Sequence, residues 1–222
     1  MSTIAEYLES LRGKSVAVIG MGVSNTPLIR MMLRAGLKVT VCDKSPRERV
    51  EELADELESL GAKFQLGEEY LDKLYRFDVI FRTPGLRPDV PELAAAVAGG
   101  SVITSEMEAF FEVCPCPILA VTGSDGKTTT TTIISKLLAA EGKIVHVGGN
   151  IGHPLLCDTP EIAPEDMAVL ELSSFQLMTM QKSPHIAVTT NLAPNHLDVH
   201  KDYQEYVDAT ANIFPPQSAS DI

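Results

Sequence analysis

The chain is organised around one stretch that decides its fold, Val121-Thr122-Gly123-Ser124-Asp125-Gly126-Lys127-Thr128-Thr129. The apolar run at residues 118–121 comes directly before its glycines and predicts a short buried strand. A helix that begins at Thr128 is predicted by apolar residues at helical spacing, namely Ile133, Ile134, Leu137 and Leu138. A strand, a glycine-containing turn and Lys-Thr at a helix start are the parts of a phosphate-binding loop.

In such a loop the chemistry comes mainly from the backbone. Glycines let the chain approach a phosphate group, and the N–H groups at the start of the helix point toward it. Lys127 would reach the β- and γ-phosphates, and the hydroxyl of Thr128 would bind Mg²⁺. Because Val121 stands where the strict pattern has its first glycine, the motif is the shorter G-x-x-G-K-T-T. An ordinary turn with a solvated lysine is the alternative.

Composition limits the classes of partner. Eighteen Lys and Arg stand against thirty Asp and Glu among 222 residues, which gives a net charge of -12. This balance disfavours a nucleic-acid backbone or an anionic membrane, since both reward a basic face. No apolar stretch approaches the roughly 20 residues of a membrane span. We expect a soluble, cytoplasmic protein.

The cysteines give no pattern typical of a metal site. Cys42, Cys114, Cys116 and Cys157 are irregularly spaced, and Cys114-Pro-Cys116 lacks the two-residue gap of zinc or thioredoxin-like pairs. Buried or incidental reduced thiols are favoured over a metal or redox site.

The first half of the chain alternates strands and helices. Strands are predicted at 16–19, 38–42, 63–66, 78–82 and 102–103, and helices near 4–11, 27–36 and 106–111. Ser45-Pro46-Arg47-Glu48 has the spacing of a capping box and is predicted to open a further helix. This alternation predicts a parallel, doubly wound sheet over residues 1–104.

Two loops of this half suggest an anionic ligand. Gly20-Met21-Gly22-Val23-Ser24-Asn25 resembles the opening of a dinucleotide fingerprint, but Asn25 replaces its third glycine. Asp43 ends the second strand, where a ribose-binding carboxylate or a plain turn residue would stand. Thr83-Pro84-Gly85-Leu86 also follows a strand. A dinucleotide-dependent oxidoreductase is therefore one open reading.

The second half adds candidate ligands for a metal ion. Strands are predicted at 144–147, 168–172 and 186–190, and a glycine-rich loop around Asn150 follows the first of them. Glu171 ends an apolar strand beyond the phosphate loop, and it could hold Mg²⁺ or simply be solvated. His196, Asp198 and His200 are clustered, but the cysteines do not complete a zinc site with them.

Four ordered motifs carry a resemblance to a known family. Gly123-Ser-Asp-Gly-Lys-Thr-Thr, Gly149-Asn-Ile-Gly, Glu171-Leu-Ser-Ser-Phe-Gln-Leu and Asn195-His-Leu-Asp resemble the Mur ligases, most closely those that add D-glutamate to UDP-N-acetylmuramoyl-L-alanine. The similarity spans residues 1–214. It implies a Rossmann-like parallel-sheet domain for the UDP-sugar, a central P-loop ATPase α/β domain and a third domain for the amino acid. ATP would convert the substrate carboxylate to an acyl phosphate, which D-glutamate attacks to form an amide.

The resemblance also implies roles for single residues. Lys127 and His196 would be catalytic, and Asn150 and His196 would contact the substrate. The metal ligands would be Thr128, Glu171 and His196. ATP would be bound by the phosphate loop, namely Gly123, Ser124, Asp125, Gly126, Lys127, Thr128 and Thr129. The UDP-binding loops would supply Val23, Ser24, Asp43, Lys44 and Gly85. Such ligases act as monomers in peptidoglycan precursor synthesis.

Departures from the family pattern affect these expectations. Asp125 stands where the family usually has Asn, and its carboxylate should weaken triphosphate binding. Thr210 stands where a family-typical lysine is carbamylated to bind the second metal, and threonine forms no carbamate.

Residues 215–222 form a polar tail unlike the family's continuation. We therefore expect a truncated or frameshifted product or a fragment, with a partial central domain at 105–222, little ligation and a tendency to self-associate. A catalytically silent UDP-sugar or nucleotide-binding module and another Mur ligase are the alternatives.

Overall fold

A computed structural model gives the positions of residues 2–214, so the predicted tail at 215–222 lies outside the described residues. Contacts divide the chain into two compact units, Ser2–Ala109 and a second unit that begins at Phe110. This contact boundary falls inside a helix, Glu106–Val113. The domain division at 1–104 and 105–222 stays a prediction.

The first unit is an alternation of strands and helices. Its strands are β1 (Val16–Ile19), β2 (Val39–Asp43), β3 (Lys63–Leu66), β4 (Val79–Phe81) and β5 (Val102–Thr104). Its helices are α1 (Ile4–Ser10), α2 (Asn25–Arg34), α3 (Glu51–Ser59) and α4 (Pro91–Ala98), and α5 (Glu106–Val113) follows them. Single 3-10 turns lie at Arg47–Arg49 and Leu74–Arg76.

These strands form one parallel sheet. The five strands have the order β3-β2-β1-β4-β5, and every pairing is parallel. All four residues of β1 are buried, because this uninterrupted apolar strand lies between two neighbours and is covered on both faces. The strand order reverses direction at β1 and β4, so the crevice at their carboxyl ends is the switch point where such sheets bind ligands. The predicted Rossmann-like sheet is confirmed.

The predicted capping box of α3 is wrong. The helix begins at Glu51, and its N-cap residue Val50 makes no side-chain hydrogen bond to the helix. Ser45 belongs instead to the turn after β2, where its backbone N–H donates to Asp43 Oδ1 at 2.7 Å. An aspartate that bonds the backbone two residues on stabilises a turn, and this local interaction prevails over the helix cap.

The second unit is built around the phosphate-loop stretch. Its strands are β6 (Ile118–Thr122), β7 (Val145–Gly149), β8 (Met167–Glu171) and β9 (Ile186–Thr189). Its helices are α6 (Lys127–Ala140), α7 (Ser174–Leu177) and α8 (Tyr203–Ala211), and a 3-10 helix spans Leu156–Glu161. The four strands pair in parallel in the order β7-β8-β6-β9. All of their carboxyl ends therefore meet at one edge.

Helix α6 covers this sheet with only part of its apolar surface. Ile134 and Leu138 pack against the buried cluster formed by Leu119, Val121 and Val169. Ile133 and Leu137, the other two apolar residues at helical spacing, are 53% and 62% exposed. The sequence pattern predicted the helix but did not distinguish the residues that contact the sheet.

Among residues 2–214, no helix combines the length and the apolar composition needed to cross a membrane.

Candidate functional site

The turn between β6 and α6 requires two glycines, and one of them is also closely packed. Gly123 has a φ of +127°, and a Cβ there would lie 2.3 Å from Thr190 Oγ1. Gly126 has a φ of +79° and is the N-cap residue of α6, but no atom lies near its missing Cβ. Close packing and backbone conformation thus both exclude a side chain at Gly123, whereas backbone conformation alone favours glycine at Gly126.

The lysine of the loop folds back over its own backbone. Lys127 Nζ donates to the carbonyl oxygens of Gly123 and Ser124 at 2.8 Å and 2.9 Å. These two bonds hold the ammonium group against the backbone of the turn from which α6 begins. A phosphate bound there would meet a positive charge and several backbone donors.

A second loop, which the sequence analysis did not assign to the site, supports this turn. Thr190 Oγ1 donates to the carbonyl oxygen of Asp125 at 2.6 Å, and the N–H of Asp125 donates to Asn191 Oδ1 at 2.9 Å. The Ser124 hydroxyl lies 2.7 Å from the Tyr206 hydroxyl and donates to the carbonyl oxygen of Ala193 at 2.8 Å. The pairing of β9 with β6 brings this loop into place, so only the sheet order could have revealed it. The carboxylate of Asp125 itself lies on an exposed residue.

Glu171 stands at the carboxyl end of β8, as predicted, and is only 2% exposed. Its Oε2 accepts from Thr128 Oγ1 at 2.6 Å, and its Oε1 accepts from Asn150 Nδ2 at 2.9 Å. The loop after β7 approaches closely enough for Asn150 N–H to donate to the Glu171 carbonyl at 2.7 Å. Three predicted site residues thus form one hydrogen-bonded group beside the phosphate loop.

A cavity of about 130 Å³ lies next to this group. Lys127 and Asn150 line it, together with Phe175, His196 and Tyr206. The cavity therefore brings His196 to the same place as the phosphate-loop lysine.

His196 is held by its backbone and by an aromatic neighbour. Its φ is +53°, and its N–H donates to Asn195 Oδ1 at 2.9 Å. Its ring meets the Phe175 ring edge-on at 5.0 Å, and Phe175 stacks on the buried His200 at 5.2 Å. His200 Nε2 lies 2.9 Å from Ser174 Oγ. His200 and Phe175 thus support His196, a role that the sequence analysis did not anticipate.

The structure gives no support to a zinc site at His196, Asp198 and His200. In the described part of the chain, no three His, Cys, Asp or Glu side chains are grouped so that they could hold a metal ion. Cys42, Cys114 and Cys116 are buried and Cys157 is partly buried. Burial raises the pKa of the Cys42 thiol to about 12, with a smaller contribution from the neighbouring Asp43.

Thr210 lies on α8 and is 1% exposed. Its hydroxyl donates to the carbonyl oxygen of Tyr206, one turn earlier, at 2.8 Å. A neutral hydroxyl that is already bonded within its own helix does not provide the anionic oxygen of a carbamylated lysine.

In the first unit, the predicted UDP-binding residues follow β1, β2 and β4, which are neighbours in the sheet. Asp43 accepts from the N–H of Met21 at 2.8 Å and from the N–H of Ser45 at 2.7 Å, so it joins the turns after β1 and β2. Val23 is 77% exposed, and Lys44 and Gly85 are also exposed. Ser24 is half-buried.

Asn25 explains the missing third glycine of the fingerprint. It is 3% exposed, and its Nδ2 donates to the carbonyl oxygen of Ile19 at 2.8 Å. The side chain thus ties the start of α2 to the end of β1, where a dinucleotide fold has a glycine for close helix packing.

Two family models match this chain in succession. The N-terminal domain of MurD-like Mur ligases matches residues 14–105, and the Mur ligase middle domain matches residues 121–222. The chain belongs to the Mur ligase family.

Curated Mur ligases resemble it over its whole length. The UDP-N-acetylmuramoylalanine--D-glutamate ligase of Ruminiclostridium cellulolyticum is 53% identical over 218 residues, which are 98% of this chain and 47% of that protein. The ligase of the same name from Clostridium novyi is 52% identical over 220 residues, 99% of this chain and 48% of that protein. The chain thus spans about half the length of these relatives.

Solved structures show the same fold. The UDP-N-acetylmuramate:L-alanyl-gamma-D-glutamyl-meso-diaminopimelate ligase of Neisseria meningitides has a TM-score of 0.52 and 20% identity, over 90% of this chain and 67% of that one. The UDP-N-acetylmuramate-alanine ligase MurC of Thermotoga maritima has a TM-score of 0.50 and 21% identity, over 90% of this chain and 46% of that one.

Proposed function

We propose that this chain is the UDP-sugar-binding and ATP-binding part of a ligase that adds D-glutamate to UDP-N-acetylmuramoyl-L-alanine. The observation that carries the proposal is the hydrogen-bonded group of Thr128, Glu171 and Asn150 beside Lys127, on a chain 53% identical to a ligase of that name. Residues 1–104 would bind the UDP-sugar. Residues 105–222 would supply part of the ATP-binding domain.

The reaction needs an activated carboxylate, because a carboxylate is a poor electrophile. Its oxygen would attack the γ-phosphorus of ATP, ADP would leave, and the amine of D-glutamate would then displace phosphate from the acyl phosphate. Lys127 would hold the β- and γ-phosphates and balance their charge during transfer. The N–H groups of the phosphate loop would fix the triphosphate in line with the attacking oxygen.

The residues beside the loop fit a magnesium ion. Thr128 Oγ1 and the Glu171 carboxylate are hard oxygen donors that already lie 2.6 Å apart, and Mg²⁺ commonly takes one or two protein oxygens plus substrate phosphates. When bound, Mg²⁺ would offset negative charge on the phosphates. Asn150 Nδ2 would keep the carboxylate oriented by its bond to Oε1.

The residues present do not fit the family's second metal in the same way. His196 lines the cavity, but the Thr210 hydroxyl is bonded to the Tyr206 carbonyl and carries no charge. We therefore propose that His196 contacts the substrate.

Val23, Ser24, Asp43, Lys44 and Gly85 are proposed to bind the UDP moiety. They follow adjacent strands at the switch point of a parallel sheet, which is where such folds bind nucleotides. Lys44 is exposed and brings positive charge to the loop after β2, which suits a diphosphate.

A cytoplasmic location and self-association through exposed apolar residues of α6 belong to the same proposal.

A catalytically silent binding module is the second candidate, and the threonine at position 210 favours it. Trapping with hydroxylamine distinguishes the two candidates. With UDP-N-acetylmuramoyl-L-alanine, Mg²⁺ and ATP, an acyl phosphate yields a hydroxamate, and a silent module yields none although both ligands bind.

Calorimetric titration with ATP and Mg²⁺ tests the ATP site directly. Lys127→Ala should weaken ATP binding at least about tenfold, because a charge-assisted contact to phosphate is lost. Lys136→Ala on the exposed part of the same helix is the control and should change affinity less than twofold. Equal affinities for the wild-type chain and Lys127→Ala would contradict the proposed site.

A further inference from the structure

Arg82 is a buried cation whose role the proposed mechanism does not explain. It follows β4 directly and is 1% exposed, which places it among the largest fully buried side chains in the described chain. Burial disfavours its charged form and lowers the pKa of its guanidinium group, with Glu108 as the opposing charge. Burying a charge is costly unless the group gains strong hydrogen bonds, so its partners indicate what it stabilises.

Three of its partners are carbonyl groups of the loop that follows it. Arg82 Nη1 donates to the carbonyl oxygens of Thr83 at 3.2 Å, Pro84 at 3.3 Å and Leu86 at 2.5 Å. The loop closes on itself through a bond from Leu86 N–H to the Thr83 carbonyl at 3.1 Å. Arg82 is therefore an internal support of the loop at residues 83–86.

This loop lies at the switch point of the sheet. The loop follows β4, the neighbour of β1, and a Cβ at Gly20 would lie only 3.4 Å from Thr83 Cβ. It therefore abuts the turn after β1, which Asp43 ties to the turn after β2. Because its carbonyl oxygens accept hydrogen bonds from Arg82, the loop is held in one conformation before a ligand binds.

We propose that Arg82 is a positioning residue that holds the loop at residues 83–86 in the conformation that receives a nucleoside diphosphate. It acts through the loop backbone and has no contact with the ligand. The inference rests on the proposed function, which places the UDP moiety at this edge. A loop that is fixed in advance loses little conformational freedom on binding, so removal of its support weakens affinity.

The experiment compares Arg82→Gln, Arg82→Lys and Arg76→Gln in the 222-residue chain. Arg76 is an exposed arginine of the same unit and serves as the matched control. Calorimetric titration with UDP-N-acetylmuramoyl-L-alanine, well below the unfolding temperature, gives the affinity at the proposed crevice. Titration with ATP and Mg²⁺ on the same samples reports the other unit.

We expect Arg82→Gln to weaken binding of the UDP-sugar about tenfold or more and to leave ATP binding within twofold. Arg82→Lys, which keeps the charge but not the planar fork, should weaken UDP-sugar binding about threefold or more. Arg76→Gln should match the wild-type chain. A merely structural role would lower the unfolding temperature without this selective loss of UDP-sugar affinity.

Two results would overturn the inference. The first is a folded Arg82→Gln variant that binds the UDP-sugar within twofold of wild type. If that variant does not fold, an Arg82→Lys variant with unchanged affinity overturns the inference equally. Failure of the wild-type chain to bind the UDP-sugar would instead reject the proposed function of the first unit, and this inference with it.

Discussion

Gly149 on β7 lies opposite Glu171, whose backbone leaves no room for a side chain there. A Cβ at Gly149 would lie 2.2 Å from the Glu171 carbonyl oxygen, which is far inside contact distance. The same residue has a φ of +94°. Gly142 has a similar φ of +84° but open space around its missing Cβ, so the two glycines separate close packing from backbone strain.

We expect Gly149→Ala to lower the free energy of unfolding by at least about 2 kcal/mol more than Gly142→Ala, which should cost about 1 to 2 kcal/mol through conformation alone. Urea denaturation of both variants measures the difference. Because the collision is with the backbone of Glu171, Gly149→Ala should also weaken binding of ATP with Mg²⁺. Equal losses of stability in the two variants would show that the strands separate without cost.

Glu108, which lies near the buried Arg82, makes the stability of the fold depend on pH. Burial raises the pKa of its carboxyl group to about 7 from an ordinary 4.5, against smaller lowering effects of a Ser105 hydrogen bond and of Arg82. The folded chain therefore holds this proton more tightly than the unfolded chain. Its stabilising effect is complete below about pH 4.5 and is lost as the pH rises through about 7.

Glu108→Gln removes that titration while keeping an acceptor for Ser105. We expect the wild-type chain to lose thermal stability relative to Glu108→Gln as the pH is raised from 5 to 8. Unfolding temperatures of the two proteins, followed by circular dichroism across that range, measure the difference. Parallel curves would indicate an ordinary carboxyl group at this position.

At the scale of residues, the sequence predicted features that depend on neighbouring residues and missed contacts between residues far apart in the chain. Lys127, Thr128 and Glu171 were found as site candidates because each follows a recognisable strand or opens a helix. The bond from Thr190 to Asp125 and the bond from Asn150 to Glu171 were not predicted, because they require the order of strands in the sheet. The failed cap at Ser45 shows a local competition that spacing alone does not resolve.

At the scale of elements, α6 shows how periodicity identifies a helix without fixing which residues it buries. Leu137 and Leu138 are adjacent, yet Leu137 is 62% exposed and Leu138 packs against the sheet. A rotation of about 100° per residue turns one side chain to the solvent and the next to the core. The helix begins in the phosphate loop, with Lys127 at the site. The position of Lys127 therefore sets which side of the helix faces the sheet.

This orientation gives a prediction for two neighbouring leucines. Leu138→Ala should lower the free energy of unfolding by about 2 kcal/mol, because it removes packed methyl groups at the sheet. Leu137→Ala should change it by less than about 0.5 kcal/mol, since alanine favours helix and little contact is lost. Chemical denaturation followed by tyrosine fluorescence measures both changes. A larger loss at Leu137 would mean that another part of the protein covers this face.

At the scale of the whole molecule, each compact unit has its own parallel sheet and its own candidate ligand edge. The first edge carries the UDP-sugar residues in the proposal, and the second carries the phosphate loop. The resemblance to Mur ligases predicted this succession of sheets, because its four motifs are spread along the chain. Single motifs predicted less, since the G-x-G after β1 also suggested an oxidoreductase.

A ligand that binds only the folded form of one unit stabilises that unit, by about 2.7 kcal/mol at a concentration 100 times its dissociation constant. We therefore expect differential scanning calorimetry to show two transitions. UDP-N-acetylmuramoyl-L-alanine should raise one of them, and ATP with Mg²⁺ should raise the other. Lys127→Ala should reduce the shift with ATP and retain the shift with the UDP-sugar, because Lys127 lies in the second unit. A single transition that both ligands raise would show that the two units unfold as one cooperative structure. Loss of both shifts in Lys127→Ala would mean that the phosphate loop also affects binding of the UDP-sugar to the first unit.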